Sequence, residues 1–174
     1  EIEHPLALQI GGSDPKLLAE ATKIGVDWGY DEINLNVGCP SSRVSSGDFG
    51  AVLMKRKDHV AKCVDAMAQF SSNVPISVKC RIAVDDQDPE KILPSFIKTV
   101  SNSGVSIFII HARKAILSGL SPKDNRKIPP IDYNLVKKIK TQFPQLEICL
   151  NGEIKDLSTV MNFINDGING CMIG

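Results

Sequence analysis

The sequence lacks the patterns that mark metal-binding, disulfide-linked and membrane-spanning proteins. Its five cysteines are scattered without a C-x-x-C pair, and it has three histidines, so we expect neither a zinc site nor a disulfide framework. No apolar run approaches the roughly 20 residues that a membrane-spanning helix needs. Residues 1–4 contain no basic segment that leads into an apolar stretch, so no signal peptide is predicted. These absences favour a cytoplasmic protein with reduced thiols and no bound metal.

An excess of charge of one sign is also lacking. Lysine and arginine together number 20, as do aspartate and glutamate, and a net charge of zero does not indicate a nucleic-acid-binding protein. The 174 residues are 43% hydrophobic and 23% charged, which is ordinary for a globular domain with a core of its own. Composition therefore predicts one folded domain and leaves its function open.

Strand-like runs alternate with helix-like segments along the chain. The runs are nearly continuous in apolar residues, as is usual for parallel strands that are covered by helices. They follow one another at intervals of roughly 25 to 40 residues, the size of a βαβ unit. The pattern predicts a parallel α/β sheet, either a barrel or a doubly wound sheet. The six runs are 5–10, 32–37, 75–81, 106–111, 146–151 and 169–173.

Aspartates mark the starts of several predicted helices. Asp14 and Asp88 each precede a proline, which places a capping carboxylate before proline at the first helical position. Asp132 and Asp156 are predicted to cap two later helices. The longest stretch without a helix or strand pattern is 112–131, and long loops in compact domains are usually functional or disordered. In the first helix the pattern predicts a buried face of Leu17, Leu18, Ala21 and Ile24.

The number of strands points to an incomplete structure. Six strands are fewer than the eight of a complete (β/α)8 barrel. The sequence also begins on a strand-like run and stops at Gly174, directly after another. We therefore expect a fragment of a longer protein.

Polar residues cluster where the predicted strands end. In parallel α/β folds, ligands bind at the carboxyl ends of the strands. Amide, lysine and histidine side chains at these ends suit a polar planar cofactor or an anionic group. The residues concerned are Gln9, Asn34, Asn36, Cys39, Lys79, Arg81, His111, Arg113, Asn151 and Gly152.

The segment 34–41, Asn-Leu-Asn-Val-Gly-Cys-Pro-Ser, is the sharpest motif. Its cysteine, Cys39, lies between glycine and proline just beyond a strand, and hence in a loop. It is either a reactive acid or nucleophile, or a small apolar residue of the core, which is the commoner role of free cysteine. The other four cysteines are predicted to be structural, because they lie on an apolar helix face or within strands: Cys63, Cys80, Cys149 and Cys171.

The motif at 34–41 resembles the cysteine motif of the tRNA-dihydrouridine synthases. The segments 111–122, 8–13 and 85–88 are similar to motifs of the bacterial A-type branch of that family. The resemblance covers essentially the whole chain, in order and at matching spacing. It implies an α/β fold, a TIM (β/α)8 barrel that is incomplete here and contains about strands three to eight. It also implies that residues 1–174 form part of an FMN-binding catalytic domain, and that a C-terminal helical tRNA-binding domain is absent.

The resemblance implies an enzyme in which reduced FMN passes a hydride to a uridine of tRNA, in the D-loop, with NADPH as electron donor. Cys39 matches the residue that protonates the base. Gln9, Lys79 and His111 match flavin-contacting residues. Asn151, Gly152 and Gly174 match the phosphate side of the flavin site, although Glu153 stands where a second glycine is expected.

The resemblance also assigns residues to RNA. Asn36 matches the asparagine that holds the target uracil, and Arg81, Arg113 and Lys114 would line the mouth of the site. A basic region supports this, although a solvated helix and loop would have the same composition. Its members are Arg113, Lys114, Lys123, Arg126, Lys127, Lys137, Lys138 and Lys140.

Two alternatives remain open from the sequence. Other flavin barrels, such as the dihydroorotate dehydrogenases, act on free pyrimidines with similar residues at the strand ends. A truncated and inactive remnant of a synthase would have the same motifs, and its exposed sheet edges would invite association with another chain. The exact uridine, the oligomeric state and the autonomy of the chain are not predicted.

Overall fold

A computed structural model describes residues 3–41 and 48–173. These residues contain one sheet of six strands in the order β1-β2-β3-β4-β5-β6, and all neighbouring strands are parallel. The predicted runs are confirmed to within two residues at each end. The strands are β1 Ala7–Ile10, β2 Glu32–Val37, β3 Ile76–Arg81, β4 Ile107–His111, β5 Glu147–Asn151 and β6 Gly170–Met172.

In the described ranges, five α-helices connect the strands. The predicted caps are confirmed: the Asp14 side chain accepts from the backbone N–H groups of Lys16 and Leu17, and Asp156 accepts from that of Thr159. Two short 3-10 helices, Gly50–Lys55 and Asp124–Arg126, lie in loops. The helices are α1 Pro15–Asp27, α2 Lys57–Ala68, α3 Pro89–Ser101, α4 Tyr133–Gln142 and α5 Leu157–Asn165.

The strand order identifies the architecture. A doubly wound sheet reverses its strand order at a switch point, whereas here each strand pairs with the next one along the chain. Sequential parallel strands separated by helices are the arrangement of a (β/α)8 barrel. The described residues therefore form six strands and the five α-helices between them, an incomplete TIM-type barrel, as predicted.

The two faces of the sheet differ in chemistry. Side chains alternate along a strand, and in β2 the residues Ile33, Leu35 and Val37 are fully buried in the core between sheet and helices. The alternate residues, Asn34 and Asn36, lie on the other face. The inner face of the barrel is therefore polar where the outer face is apolar.

The predicted face of α1 is confirmed at Leu18 and wrong at Leu17 and Ile24. Leu17 and Ile24 are 63% and 58% exposed, whereas the buried residues of the helix include Leu18 and Gly25. A Cβ atom added to Gly25 would lie 2.7 Å from the Ile33 side chain, so the helix packs onto the sheet through its small residues. Apolar periodicity located the helix but could not choose between its two apolar faces.

Candidate active site

The carboxyl ends of the strands border a cleft of about 550 Å³. Most of the predicted site residues line it together. Arg113 and Lys114 do not line this cleft, and Gly174 lies outside the described residues. The predicted residues that line the cleft are Gln9, Asn36, Cys39, Lys79, Arg81, His111, Asn151 and Gly152.

Strand register explains this convergence. Asn36 is the register partner of Lys79, Arg81 is the partner of His111, and His111 is the partner of Asn151. Partners in register project from the same face of a sheet. Residues that are 30 or more positions apart in sequence therefore meet in two adjacent layers at the top of the inner face.

The loop that begins after β2 and contains Cys39 is held by the side chain of Asn36. The Asn36 Oδ1 atom accepts hydrogen bonds from the backbone N–H of Gly38 at 3.1 Å and of Cys39 at 3.0 Å. The Cys39 carbonyl accepts from the backbone N–H of Ala51 at 2.9 Å. The backbone of Cys39 is thus fixed on both sides, while its thiol borders the cleft and is partly exposed.

The other four cysteines differ from Cys39 in environment. None of them lines the cleft, and Cys63 and Cys80 are fully buried. Burial raises the pKa of Cys63 and of Cys149 to about 11 and that of Cys80 to about 12. Burial also raises the pKa of Cys171. These thiols stay protonated at neutral pH, as suits structural residues.

Lys79 and Asn151 are linked across the floor of the cleft. The Lys79 Nζ atom donates to Asn151 Oδ1 at 3.0 Å, and Asn151 Nδ2 donates to the Met172 carbonyl at 2.9 Å. Burial, and then the positive charge of Arg81, lower the pKa of Lys79. A lysine in this environment is a cation that a nearby anion would stabilise.

His111 is a buried, neutral histidine beside the glycine that follows β5. Burial, followed by the charges of Arg81 and Lys79, lowers the pKa of His111 to about 3. Its Nε2 atom is buried and has no hydrogen-bond partner among residues 3–41 and 48–173. Gly152 has φ +118°, and a Cβ there would lie 3.3 Å from that atom. The ring therefore presents an unsatisfied polar atom next to a place that only glycine suits.

We expect His111 to make the fold sensitive to acid. Because its pKa is about 3 when folded and about 6.5 when unfolded, the unfolded chain binds the extra proton between these values. The stabilising effect of the neutral ring is complete above pH 6.5 and falls as the pH is lowered. Lowering the pH from 7 to 5 should therefore reduce the free energy of unfolding by about 2 kcal/mol through His111 alone.

Urea unfolding at pH 7 and pH 5 would measure this effect. His111→Asn should reduce the difference between the two pH values, whereas Lys62→Met, at an exposed position of α2, is the control and should leave the difference unchanged. An equal pH dependence in the wild type and in His111→Asn would contradict the assignment.

Arg81 is buried and bound to three backbone carbonyls. It donates to the carbonyl oxygens of Gly38, Lys114 and Asn125, at 3.3, 3.3 and 2.9 Å. Burial lowers its pKa to about 10, so it remains charged at neutral pH. Its guanidinium borders the cleft and at the same time connects the Cys39 loop with the segment 112–131.

Arg113 and Glu153 form an ion pair at the side of the cleft, which Glu153 lines. The Arg113 side chain is 5% exposed, and its guanidinium lies 2.7 Å from Glu153 Oε1. It also donates to the Pro129 carbonyl. Glu153 has φ +52°, a left-handed conformation that favours glycine. The carboxylate that replaces the expected second glycine is therefore neutralised by Arg113.

The cleft contains basic residues that the sequence did not single out as members of a site. Arg126 and Lys127, from the segment 112–131, border it together with Lys155, which lies after β5. Because Lys155 lies four residues after the end of β5, its position in the sequence could have predicted that it borders the cleft. Three lysines of the predicted basic region lie elsewhere: Lys137 pairs with Asp166, Lys138 pairs with Glu90, and Lys140 donates to the carbonyls of Pro144 and Leu146.

Asn125 organises the segment 112–131. Its fully buried side chain accepts from the Ile116 N–H at 2.7 Å and donates to the Ile116 carbonyl at 2.8 Å. The predicted loop therefore has a fixed shape, and its 3-10 helix brings Arg126 to the cleft. Nothing in the local sequence distinguishes this asparagine from a surface residue.

The described residues were predicted to contain neither a metal site nor a membrane-spanning helix. No cluster of three or more His, Cys, Asp or Glu side chains in this part of the chain is arranged to hold a metal ion. In the same residues, no helix has the length and apolar character needed to cross a membrane.

Solved structures with the same fold have very different sequences. Morphinone reductase is 11% identical, with a TM-score of 0.66, over 92% of this chain and 44% of its own. A 2-naphthoyl-CoA reductase is 10% identical, with a TM-score of 0.69, over 90% of this chain and 26% of its own. These likenesses support the barrel fold.

Sequence relatives are much closer. The "tRNA-dihydrouridine(20/20a) synthase" of Escherichia coli strain K12 is 54% identical over 175 residues, which cover 100% of this chain and 50% of that protein. The protein of the same name from Synechocystis is 52% identical over 172 residues, 99% of this chain and 51% of its own length. The chain thus spans about half the length of these relatives. Because the family model "Dihydrouridine synthase (Dus)" matches residues 1–174 in full, the chain belongs to the dihydrouridine synthase family.

Proposed function

We propose that the chain is the central part of a flavin-dependent tRNA-dihydrouridine synthase, which reduces uridine to 5,6-dihydrouridine in the D-loop of tRNA. The observation that carries the proposal is the single cleft, where a partly exposed thiol faces the same space as a lysine, a neutral histidine and three amides. FMN is the proposed cofactor and NADPH the proposed electron donor. The names of the relatives from Escherichia coli and Synechocystis support tRNA as the substrate.

The inner face of the barrel suits a flavin. The unsatisfied Nε2 atom of His111 needs a ligand partner, and the space over Gly152 is kept open by the missing side chain. Gln9 offers an amide at the end of β1, and Lys79 a cation in the same cleft. We propose that Gln9, Lys79 and His111 hold the ring system, and that Asn151, Gly152 and Gly174 hold the phosphate side.

Bound FMN would supply a hydride to C6 of the uracil ring. The proton for C5 must come from the protein, and Cys39 is the acid that we propose. Within the described part of the chain, the hydrogen bonds of Cys39 use its backbone, which leaves the thiol available as a proton donor. Lys79 would stabilise negative charge that develops on the reduced cofactor.

Recognition of the base is assigned to Asn36. Its Oδ1 atom is occupied by the Cys39 loop, and one N–H of its amide binds Gln9. The second N–H remains for a carbonyl oxygen of uracil. Since the cleft lies at the top of a barrel, the uridine must leave the RNA stack to enter it.

The RNA backbone would be bound at the rim. Arg126, Lys127 and Lys155 border the cleft without a carboxylate partner among the described residues, and Lys114 is half-buried nearby. Phosphate groups are the ligands that such a basic rim suits. Arg81 and Arg113 are buried and act, on this proposal, through the loops that they hold.

Further polypeptide is proposed to complete the barrel. Large apolar side chains are exposed on α1 and just after it, and on α5, at the two edges of the sheet. They include Leu17, Ile24, Trp28, Leu157 and Met161. Two additional β/α units would cover them, and a helical tRNA-binding domain would occupy further length of the relatives. Free cysteines throughout the described residues support a cytoplasmic location.

We expect titration with FMN to show whether this chain binds the flavin by itself or needs further polypeptide. If the six strands and their helices suffice, the visible absorbance of FMN will shift on binding, and Lys79→Met will weaken binding by about tenfold through loss of a charged partner. Lys62→Met, on the exposed face of α2, is the matched control.

The titration has two further outcomes. Flavin that binds only to a chain extended to the length of the relatives would support an incomplete barrel. Turnover of free pyrimidines but not of tRNA, by either form, would overturn the proposed substrate. Failure of the extended chain to bind flavin would overturn the proposal as a whole.

A further inference from the structure

A continuous line of hydrogen-bonded side chains crosses the inner face of the barrel from β3 to the Cys39 loop. It starts where Ser77 Oγ donates to a carboxylate oxygen of Glu32. Asn34 Nδ2 donates to Ser77 Oγ at 2.6 Å, and Gln9 Nε2 donates to Asn34 Oδ1 at 2.7 Å. The line thus connects three strands beneath the cleft.

The second half of the line leads into the loop. Asn36 Nδ2 donates to Gln9 Oε1 at 3.0 Å. The Asn36 Oδ1 atom then accepts from the N–H groups of Gly38 and Cys39. A single directional path therefore runs from the carboxylate of Glu32 to the backbone of Cys39.

The carboxylate at one end sets the direction of every bond. An ionised carboxylate only accepts hydrogen bonds, so the single hydroxyl hydrogen of Ser77 is used on Glu32. Ser77 must then accept from Asn34, which turns the oxygen of the Asn34 amide toward Gln9. Reversal of any amide would place two acceptors or two donors against each other.

The same logic continues to the loop. Because Gln9 gives an N–H to Asn34, its own oxygen is turned toward Asn36. Asn36 gives an N–H to that oxygen, so its oxygen faces the N–H groups of Gly38 and Cys39. The Asn36 oxygen that binds the loop amides is consequently oriented through residues of the neighbouring strands β1 and β3.

Two members of the line are outside the cleft. Asn34 is 4% exposed and Ser77 is fully buried, and neither lines the cleft, whereas Gln9 and Asn36 do. Asn34 and Ser77 therefore reach a ligand only through their partners. Each amide of the line uses its oxygen and one N–H within the line, and only one set of orientations avoids contacts between two donors or two acceptors.

We propose that Asn34 and Ser77 are positioning residues, which fix the amide orientations of Gln9 and Asn36 and the conformation of the Cys39 loop. The effect on catalysis rests on the proposed function, whereas the effect on the loop does not. The positions 34 and 77 thereby control how the protein presents its thiol and its base-binding amide.

Hydrogen exchange of the Gly38 and Cys39 amides, followed by NMR on this chain, tests the structural step. Ser77→Val and Ser77→Thr add the same branched bulk, but only threonine keeps the hydroxyl. Ser77→Val should accelerate exchange of both amides by about fivefold, the effect of one weakened hydrogen bond, and Ser77→Thr should match the wild type. Asn34→Leu should have the larger effect, because it breaks the line at its centre.

Unchanged exchange in Ser77→Val and Asn34→Leu, with the fold intact by thermal unfolding, would overturn the proposal. If Asn34→Leu does not fold, the pair at position 77 decides alone. Equal acceleration in Ser77→Val and Ser77→Thr would also overturn it, since bulk rather than the hydroxyl would be responsible.

The catalytic step is tested in the chain extended to the length of the relatives. Ser77→Val should lower kcat for tRNA by about tenfold and change KM less, and Ser77→Thr should restore the rate. An unchanged kcat beside accelerated exchange would overturn the catalytic role. Absence of tRNA reduction in the wild-type extended chain would reject the proposed function, and the exchange experiment would still decide the role in the loop.

Discussion

Replacement of Cys39 by alanine is expected to slow the reduction of uridine in tRNA by about two to four orders of magnitude, the range for loss of a general acid. The affinity for tRNA should change little, because the thiol has no hydrogen bond to another group among residues 3–41 and 48–173. Both loop bonds of Cys39 use its backbone, through the Asn36 side chain and the Ala51 N–H. The substitution therefore removes the proton donor and preserves the geometry around it.

Single-turnover kinetics of an extended, flavin-loaded enzyme would measure this effect. The flavin is first reduced with NADPH, and its reoxidation on addition of tRNA reports the chemical step. Cys171→Ala is the matched control, because Cys171 is a partly exposed thiol that does not line the cleft. Cys39→Ser tests acidity at constant size and should be nearly as slow as Cys39→Ala.

A rate for Cys39→Ala within about threefold of the wild type would contradict the role of the thiol. The proton would then come from another group that borders the cleft, and Lys79 is the candidate. Burial and the charge of Arg81 already lower its pKa, which makes the ammonium a better acid than an ordinary lysine. A Lys79→Met variant would then show the loss that Cys39→Ala lacks.

The strands and helices were predicted well from the sequence, because helix caps and the apolar pattern of the strands agree with the tertiary structure of this fold. Aspartates that precede α1 and α5 act as caps in the structure as they do in the pattern. The positions of polar residues after apolar strands also predicted which side chains meet, since parallel register brings Arg81, His111 and Asn151 to one level. Helix caps depend on residues that are close in sequence, and register in the sheet depends on the alternation of side chains along each strand, so both can be read from the sequence.

Side-chain direction at the rim was not predictable in the same way. Arg81 and Arg113 were assigned to RNA, yet both are buried and bind backbone carbonyls. Whether a guanidinium turns outward or inward depends on carbonyls supplied by a distant loop, here that of Asn125. On α1 the sequence predicted Leu18 correctly, whereas Leu17 and Ile24 are exposed in the described residues, where the further units that we propose would cover them.

Arg81→Met is expected to lower the free energy of unfolding by about 3 kcal/mol, because three buried carbonyls lose a charged donor. Methionine keeps most of the volume, so the loss reports hydrogen bonding rather than a cavity. Arg56→Met is the matched control: Arg56 is 41% exposed and pairs with Asp48 at the surface, so it should cost less than about 1 kcal/mol. Urea unfolding at neutral pH measures both.

A second measurement separates the charge of Arg81 from its bonds. Burial is the largest cause of the lowered pKa of His111 and of Lys79, and the Arg81 cation is the second, so Arg81→Met should raise the pKa of the His111 ring in an NMR titration, and Arg56→Met should not. Arg81→Lys should keep the low pKa of His111 and still lose stability, because an ammonium cannot reach three carbonyls as a planar guanidinium does. A stable Arg81→Met variant with an unshifted His111 would show that the segment 112–131 and the Cys39 loop are held without Arg81.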